Sequence, residues 1–384
     1  MQLLPPIPKS SYKSRLEPVI NNVLAGISVK VFGPHGVGKT SVYNWLANSA
    51  SLQKTLKIPT NTNIQYFDLE LTTIKSENDL VLGEINAAIE IINKDRQKRF
   101  VCILDSAGVL EYNHELQGFL SKNYQKLRPR LSFIFLFSKF YKDGGLVKQI
   151  PLLKIPLGEF STFFPLFNIG EIEYSITQWE KTLNTKFSIQ EKDWLICQSG
   201  GYAALNKKLI FVLKENPNLV KDEKILDNYP AVTNVLDRLC TSFDKSHMEI
   251  LSDWPKNKKE KEENKILKNF GVINEKEKLF NPLFEEYLVS KKRLKHEHFG
   301  INFSENLTAS ELKLLGVLHK NSDKIVDRDT LAQAIWGKAW LEKYSDWAID
   351  KIVSQIRQKI ADNKDRKKLA TFRGRGLRLS VIGD

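Results

Sequence analysis

Cysteine is scarce in this chain of 384 residues: there are three, Cys102, Cys197 and Cys240, far apart in sequence. An odd and scattered set offers no disulfide framework and no CxxC metal cage, so buried thiols are the expectation. Long apolar runs are missing as well. The longest, around Phe133 to Phe137, falls far short of the roughly 20 residues that a bilayer-spanning helix requires, and no membrane segment is expected. The opening stretch MQLLPPIPKSS has prolines where a secretory signal needs a continuous apolar core, which argues against export and makes the cytoplasm the expected compartment. Repeats and low-complexity tracts are absent. Acidic residues are the minority charge: 45 Asp and Glu against 58 Lys and Arg give +13, a balance that favours a polyanionic partner.

A length of 384 residues exceeds one ordinary hydrophobic core and predicts several compact units. The first third holds a phosphate-binding pattern. In ISVKVFGPHGVGKTSVYNWLA, a β-branched strand from Val29 to Phe32 runs into Gly33-Pro34-His35-Gly36-Val37-Gly38-Lys39-Thr40, and an amphipathic helix continues through Ser41. This is GxxxxGK[ST] in its required strand-loop-helix setting. Glycines let backbone N–H groups turn inward around a phosphate, and the helix N-terminus adds partial positive charge. Lys39 is placed to neutralise the β- and γ-phosphates, and the Thr40 hydroxyl to ligand Mg²⁺. The plain alternative is a glycine turn that caps a helix, which four specified positions in context outweigh.

A second acid on the Mg²⁺ side should end a neighbouring parallel strand. FVCILDSAG supplies Asp105 after the apolar run Val101 to Leu104; an ordinary turn aspartate is the competing reading. Further strands are predicted at Ile64 to Leu71, Leu131 to Phe137 and Leu152 to Pro156, alternating with helices as in a parallel α/β sheet. Ser138 follows Leu131 to Phe137, where a polar side chain either reaches the γ-phosphate or the attacking water, or merely marks the strand's exit. Lys39, Asp105 and Ser138 are thus the expected chemical residues.

Together SRLEPVINNVLAGISVKVFGPHGVGKTSVYNWLA, ILDS, FIFLFS and CQSGGYAALNKKL resemble the archaeal-type and STAND-related branch of the AAA+ ATPases, over residues 12 to 215. The resemblance implies an α/β P-loop core of the ASCE type over residues 1–156, a helical lid over 157–228, and ATP with Mg²⁺ as cofactors. It aligns Ser199-Gly200-Gly201-Tyr202 with the family's GGxP turn beside the nucleotide base, with Ala203 where proline is usual. Ser106 is the larger departure. The family has Asp-Glu or Asp-Asp there, the second acid orients the attacking water, and a serine cannot serve as that base. Asp68 and Glu70 alternate onto one face of QYFDLEL and are either substitutes or a solvated strand end. Slow or partner-dependent hydrolysis is the expectation.

From Leu307 the pattern changes. Thr308 and Glu311 read as a capping box ahead of the stripe Leu312, Leu315 and Leu318. Asp327 or Arg328 opens a second helix that stops at Gly337, and a third runs from Ser345 to Ile360 with Ile349, Ile352, Val353, Ile356 and Ile360 inward. The outward face of that third helix presents Lys351, Ser354, Gln355 and Gln358, with Arg357 at the boundary, a long-armed polar set suited to a DNA major groove. LATFRGRGLRLSV then predicts a hairpin with Arg373 and Arg375 near its tip. Three helices and a basic hairpin make a winged helix. The run closely resembles the DNA-binding domain of OmpR/PhoB-type response regulators across residues 303 to 382, with Leu377 in place of a tyrosine. The resemblance implies double-stranded DNA as partner, Gln355 and Arg357 as readers, and Thr371 and Arg373 as wing contacts. From Lys351 onward ten basic residues face three acidic ones, so charge gathers where the duplex is expected; a solvated basic surface or a protein-binding winged helix is the competing reading.

Residues 229–293 alternate helical stripes with a turn-strand signal at GVINEKEKLFN and are similar to the first winged helix common in the ATPase family; 294–302 read as linker and 303–384 as the DNA-binding unit. His296-Glu297-His298 lacks further ligands and reads as solvated rather than as a metal site. The expectation is an ATP-responsive, sequence-specific transcriptional regulator, with self-association among its possible partnerships. The alternative is a replication-initiator-like or STAND-type defence ATPase acting on DNA, for which Arg128 or Arg130 would serve as a trans arginine.

Overall fold

The computed structural model describes residues 5–70, 75–139, 160–221, 225–254, 262–298, 307–337, 340, 345–362, 367–372 and 375–381. Five strands, β1 (Val29–Phe32), β2 (Thr62–Asp68), β3 (Arg99–Asp105), β4 (Leu131–Phe137) and β5 (Ser161–Phe163), form one parallel sheet in the order β2-β3-β4-β1-β5. β3 and β4 are near-continuous apolar runs buried almost end to end, as parallel strands covered by helices on both faces must be. The helices α1 (Glu17–Leu24), α2 (Lys39–Asn48), α3 (Lys75–Lys94) and α4 (His114–Leu127) belong to this layer. Register brings the carboxyl ends of the strands to one edge: Asp68 lies opposite Asp105, and Phe32 opposite Phe137. That edge is where ligands bind in open α/β sheets.

The fifth strand lies beyond residue 156. The predicted strand Leu152 to Pro156 falls outside the described residues, and the observed β5 is a three-residue edge strand with exposed and half-buried side chains. The lid is built from α5 (Ile169–Leu183), α6 (Ile189–Ser199) and α7 (Ala203–Glu215). Capping boxes at Asn168/Glu171 and Ser188/Glu191 start its first two helices, and left-handed Asn184 and Gly200 end them. Arg15 ties the N-terminal helices to this lid: it pairs with Glu171, donates to Pro165 O and Leu166 O at 3.0 Å each, and lies over the Phe164 and Phe167 rings at 4.7 and 5.2 Å.

Next come α8 (Pro230–Cys240), α9 (Lys245–Ser252), α10 (Glu262–Asn269), a minimal wing in which Ile273 bridges Leu279, and α11 (Pro282–His298). α11 continues through His298, into the stretch expected as linker. A single apolar core runs from Ile7 to Leu288, so lid and first winged helix share the core of the sheet. A second core, Leu307 to Leu379, belongs to the last unit: α12 (Ala309–Lys320), α13 (Arg328–Trp336), α14 (Asp346–Asp362) and the antiparallel pair β6 (Lys367–Phe372) and β7 (Gly376–Val381). α12 packs against both α11 and α8.

Of the cysteines, Cys102 and Cys240 are buried as expected, whereas Cys197 is exposed, because it falls on the outer face of α6. No helix among the described residues is long and apolar enough to cross a membrane.

Candidate functional site

The phosphate loop leaves β1 at Gly33, whose N–H is held by Phe137 O at 3.1 Å. Gly36 and Gly38 adopt φ of 77° and 101°, left-handed values that a side chain would resist. α2 begins at Lys39. The Lys39 side chain is 4% exposed, and its Nζ donates to Gly33 O at 2.5 Å and Pro34 O at 2.9 Å. Both acceptors are neutral. Burial pushes the Lys39 ammonium down to about 7, with Asp105 acting in the opposite direction. A buried cation satisfied only by loop carbonyls is what a polyanion's charge would relieve, so the residues present fit a bound polyphosphate.

Asp105, at the end of β3, is 5% exposed and accepts the Thr40 hydroxyl at 2.5 Å and the Tyr66 phenol at 2.6 Å, both on Oδ2. Its Oδ1 accepts Ser106 N–H at 2.8 Å. Thr40 and Asp105 therefore offer a hydroxyl and a carboxylate side by side, the hard oxygen donors that Mg²⁺ selects. Burial, and then the hydrogen bond to Asp105, raise the Tyr66 phenol. Among the described residues no cluster of three or more His, Cys, Asp and Glu could hold a metal by itself, and the His296 and His298 side chains lie outside them.

The sequence singled out Asp68 and Glu70 on this strand face but passed over Tyr66, which shares their alternation. Glu70 is exposed, with its N–H on Asp68 Oδ1 at 3.0 Å, so the strand end turns on itself. Ser106 is left-handed, φ 55°, and carries no carboxylate. Ser138 is half-buried beside the start of the loop, directly after Phe137. Arg130 donates to Ile92 O and is bound within its own core, while Arg128 lies 5.8 Å over the Tyr124 ring.

Three contacts distant in sequence close over the loop. Ala204 N–H donates to Gly36 O at 2.9 Å, and a Cβ on Gly36 would stand 2.7 Å from the Tyr202 hydroxyl. Ser242 Oγ accepts His35 N–H at 2.8 Å. Burial lowers the His35 imidazole to about 4, and the charges of Lys39, Arg238 and Lys139 press the same way. The phosphate loop is thus bordered by the lid turn and by the segment after α8, a juxtaposition that no local pattern announces.

In the last unit, Thr308 and Glu311 form the capping box that starts α12, and Asp327 caps α13. α14 buries Ile349, Val353 and Ile356 and exposes Lys351, Ser354, Gln355, Arg357 and Gln358. Arg357 Nε donates to Leu369 O at 3.1 Å and its Nη2 to Thr371 Oγ1 at 2.7 Å, so two residues expected to touch DNA also hold the wing to the helix. Arg375 is exposed at the hairpin, and Arg373 lies outside the described residues. Trp347, which the sequence reading passed over, is 72% exposed on the first turn of α14, with Lys351 Nζ 5.2 Å over its ring. Leu377, where the resemblance has tyrosine, is buried and bridges Val326 through its backbone.

Residues 304–379 match the family described as "Transcriptional regulatory protein, C terminal". The last unit is an OmpR/PhoB-type DNA-binding domain. No curated protein matches the chain. Among solved structures, a Walker-type ATPase of Pyrococcus abyssi is 15% identical, with 74% of this chain and 96% of that one covered and a TM-score of 0.45. The Aeropyrum pernix ORC1 protein in complex with DNA is 11% identical, with 98% and 90% covered and a TM-score of 0.39. Domain III of the Thermotoga maritima replication initiation protein DnaA is 12% identical, with 63% and 94% covered and a TM-score of 0.38. These likenesses are remote. The α/β P-loop fold ahead of the DNA-binding domain stands on its own strand order, β2-β3-β4-β1-β5, and on the loop that leaves β1.

Proposed function

We propose that this protein is a cytoplasmic, ATP-responsive transcription regulator, in which a nucleotide held at the phosphate loop sets how the OmpR/PhoB-type domain engages double-stranded DNA. The observation that carries this reading is the pairing of Thr40 with Asp105 beside the buried Lys39, on the same chain as an exposed polar face of α14. ATP would lie along the loop's amides, with Lys39 on the β- and γ-phosphates and Mg²⁺ between Thr40 and Asp105; Mg²⁺ would supply charge neutralisation there. Ser138 and the loop residues Gly33, Pro34, His35, Gly36, Val37, Gly38 and Ser41 complete the site in this reading.

Hydrolysis is proposed to be slow. Ser106 cannot take a proton from water, and Tyr66 donates its own proton to Asp105 rather than acting as a base. Turnover on the order of 10⁻³ per second or less is expected, the range of P-loop proteins without a transition-state arginine. Rapid turnover by the isolated chain, absent in Lys39→Ala, would overturn this part.

Coupling is tested by measuring promoter-DNA affinity in nucleotide-free, ADP and ATP states, with Lys39→Ala as control. Affinity that is the same in all three states would reduce the molecule to two unrelated units on one chain.

A further inference from the structure

The face of α8 that meets the phosphate loop carries a cation. Val235, Arg238 and Ser242 follow one another at intervals of three and four residues along α8 and the turn that ends it, so they share one side. Both outer members touch the loop region. Val235 O accepts the Tyr202 phenol at 3.3 Å, and the hydroxyl of that same ring abuts Gly36; Ser242 Oγ accepts His35 N–H at 2.8 Å. Arg238 stands between them, exposed, and among the described residues no carboxylate pairs with its guanidinium. Its neighbour Asp237 is directed elsewhere, to Tyr287 and Lys291.

After burial, the charges that press on His35 are those of Lys39, Arg238 and Lys139, with Asp105 opposing them. Lys139 is exposed just past β4, and Arg238 comes from the other side. Lys39, Arg238 and Lys139 together exceed what Asp105 neutralises, so this end of the loop is net positive and suits a polyanion.

We infer that Arg238 is a ligand for the terminal phosphate of a nucleoside triphosphate, supplied to the loop by the first winged-helix unit; this rests on the nucleotide-binding reading above. Arginine suits the role, since its planar fork donates two parallel hydrogen bonds to phosphate oxygens. ADP, one phosphate shorter, leaves Arg238 unengaged. The consequence reaches the DNA-binding domain directly, because α8 also packs against α12, and Asp227, just ahead of α8, lies beside Gly337 at the end of α13. One helix of 11 residues, about 16 Å long, thus meets the nucleotide loop at one end and the DNA-binding domain toward the other.

The test titrates fluorescent ATP and ADP analogues into the full chain, comparing wild type, Arg238→Ala and Arg238→Lys. Arg238→Ala should weaken ATP binding by about tenfold or more, the scale of one lost charge-assisted hydrogen bond, and leave ADP binding within about twofold. Arg238→Lys should recover part of the loss, and the unfolding midpoint without nucleotide should not move, since the side chain is exposed. Unchanged ATP affinity in Arg238→Ala overturns the assignment. An equal loss for both nucleotides overturns it too, because the contact would not then be to the terminal phosphate. Wild-type protein that binds neither nucleotide removes the underlying reading and this one with it, whereas a null result confined to Arg238 leaves that reading standing.

Discussion

Thr40 Oγ1 donates to Asp105 Oδ2 at 2.5 Å, joining the first turn of α2 to the last residue of β3. The contact fixes two oxygens that neither segment could place alone. Tyr66 shares the same carboxylate oxygen, so three elements converge on one atom at the carboxyl edge of the sheet.

Lys39 gives the proposed nucleotide site a pH signature. Its ammonium sits at about 7 in the folded chain against 10.5 for an ordinary lysine. Between those values the unfolded chain binds more protons, so this group's contribution to stability rises as pH is raised from about 7 toward 10.5. A polyphosphate raises the ammonium again, and ATP binding at roughly pH 8.5 should therefore take up a proton. Calorimetry in buffers of different ionisation enthalpy measures that uptake; Lys39→Ala should show neither uptake nor binding.

Tyr66→Phe removes one of the two hydroxyls on Asp105 Oδ2. A cost of about 1–2 kcal/mol in urea unfolding is expected, the scale of a hydrogen bond to a charged group. Because the phenol occupies lone pairs that a cation would use, Mg²⁺ should support ATP binding at lower concentration in the variant. A magnesium titration at fixed ATP reads this.

Much of this architecture is legible in the chain itself. Val29 to Phe32 and Leu131 to Phe137 are strands with the boundaries read from their apolar runs, and the capping box at Thr308 and Glu311 is as spacing predicts. β5 escaped because a three-residue edge strand carries too few buried side chains to leave a pattern. Tyr66 escaped for another reason: a phenol that donates to an acid carries no signature of a base. The pairing of His35 with Ser242, 207 residues apart, has no local signal at all. The bonds of Arg357 to the wing left no signal either, since periodicity reports which way a side chain leaves its helix, not that a later hairpin will fold back to meet it.

That distinction predicts different behaviour from neighbouring residues of α14. Gln355→Ala should cost about 1–3 kcal/mol on the specific site and little on unrelated DNA, as loss of a base contact does. Arg357→Ala should weaken both alike, since it frees the wing at Leu369 and Thr371. Gel-shift titrations across salt concentration separate the two, with wild-type affinity falling steeply as salt rises.

Gly376 has φ of 134°, and a Cβ there would lie 1.9 Å from Val326 O. Val326 and Leu377 exchange two hydrogen bonds at 2.8 and 2.9 Å, so the backbones cannot separate without losing both. Gly376→Ala should destabilise the DNA-binding domain by more than about 2 kcal/mol. Nucleotide binding should survive, because the two hydrophobic cores are separate. Thermal unfolding followed with and without ATP checks both halves.

With the Arg15 guanidinium gripped between two rings, two carbonyls and a carboxylate, the joint between the N-terminal helices and the lid is riveted rather than sprung. Because α1 also packs on β1 and β4, that rivet fastens the lid to the sheet from the amino-terminal side, whereas Ala204 and Ser242 each rest on the loop through one hydrogen bond.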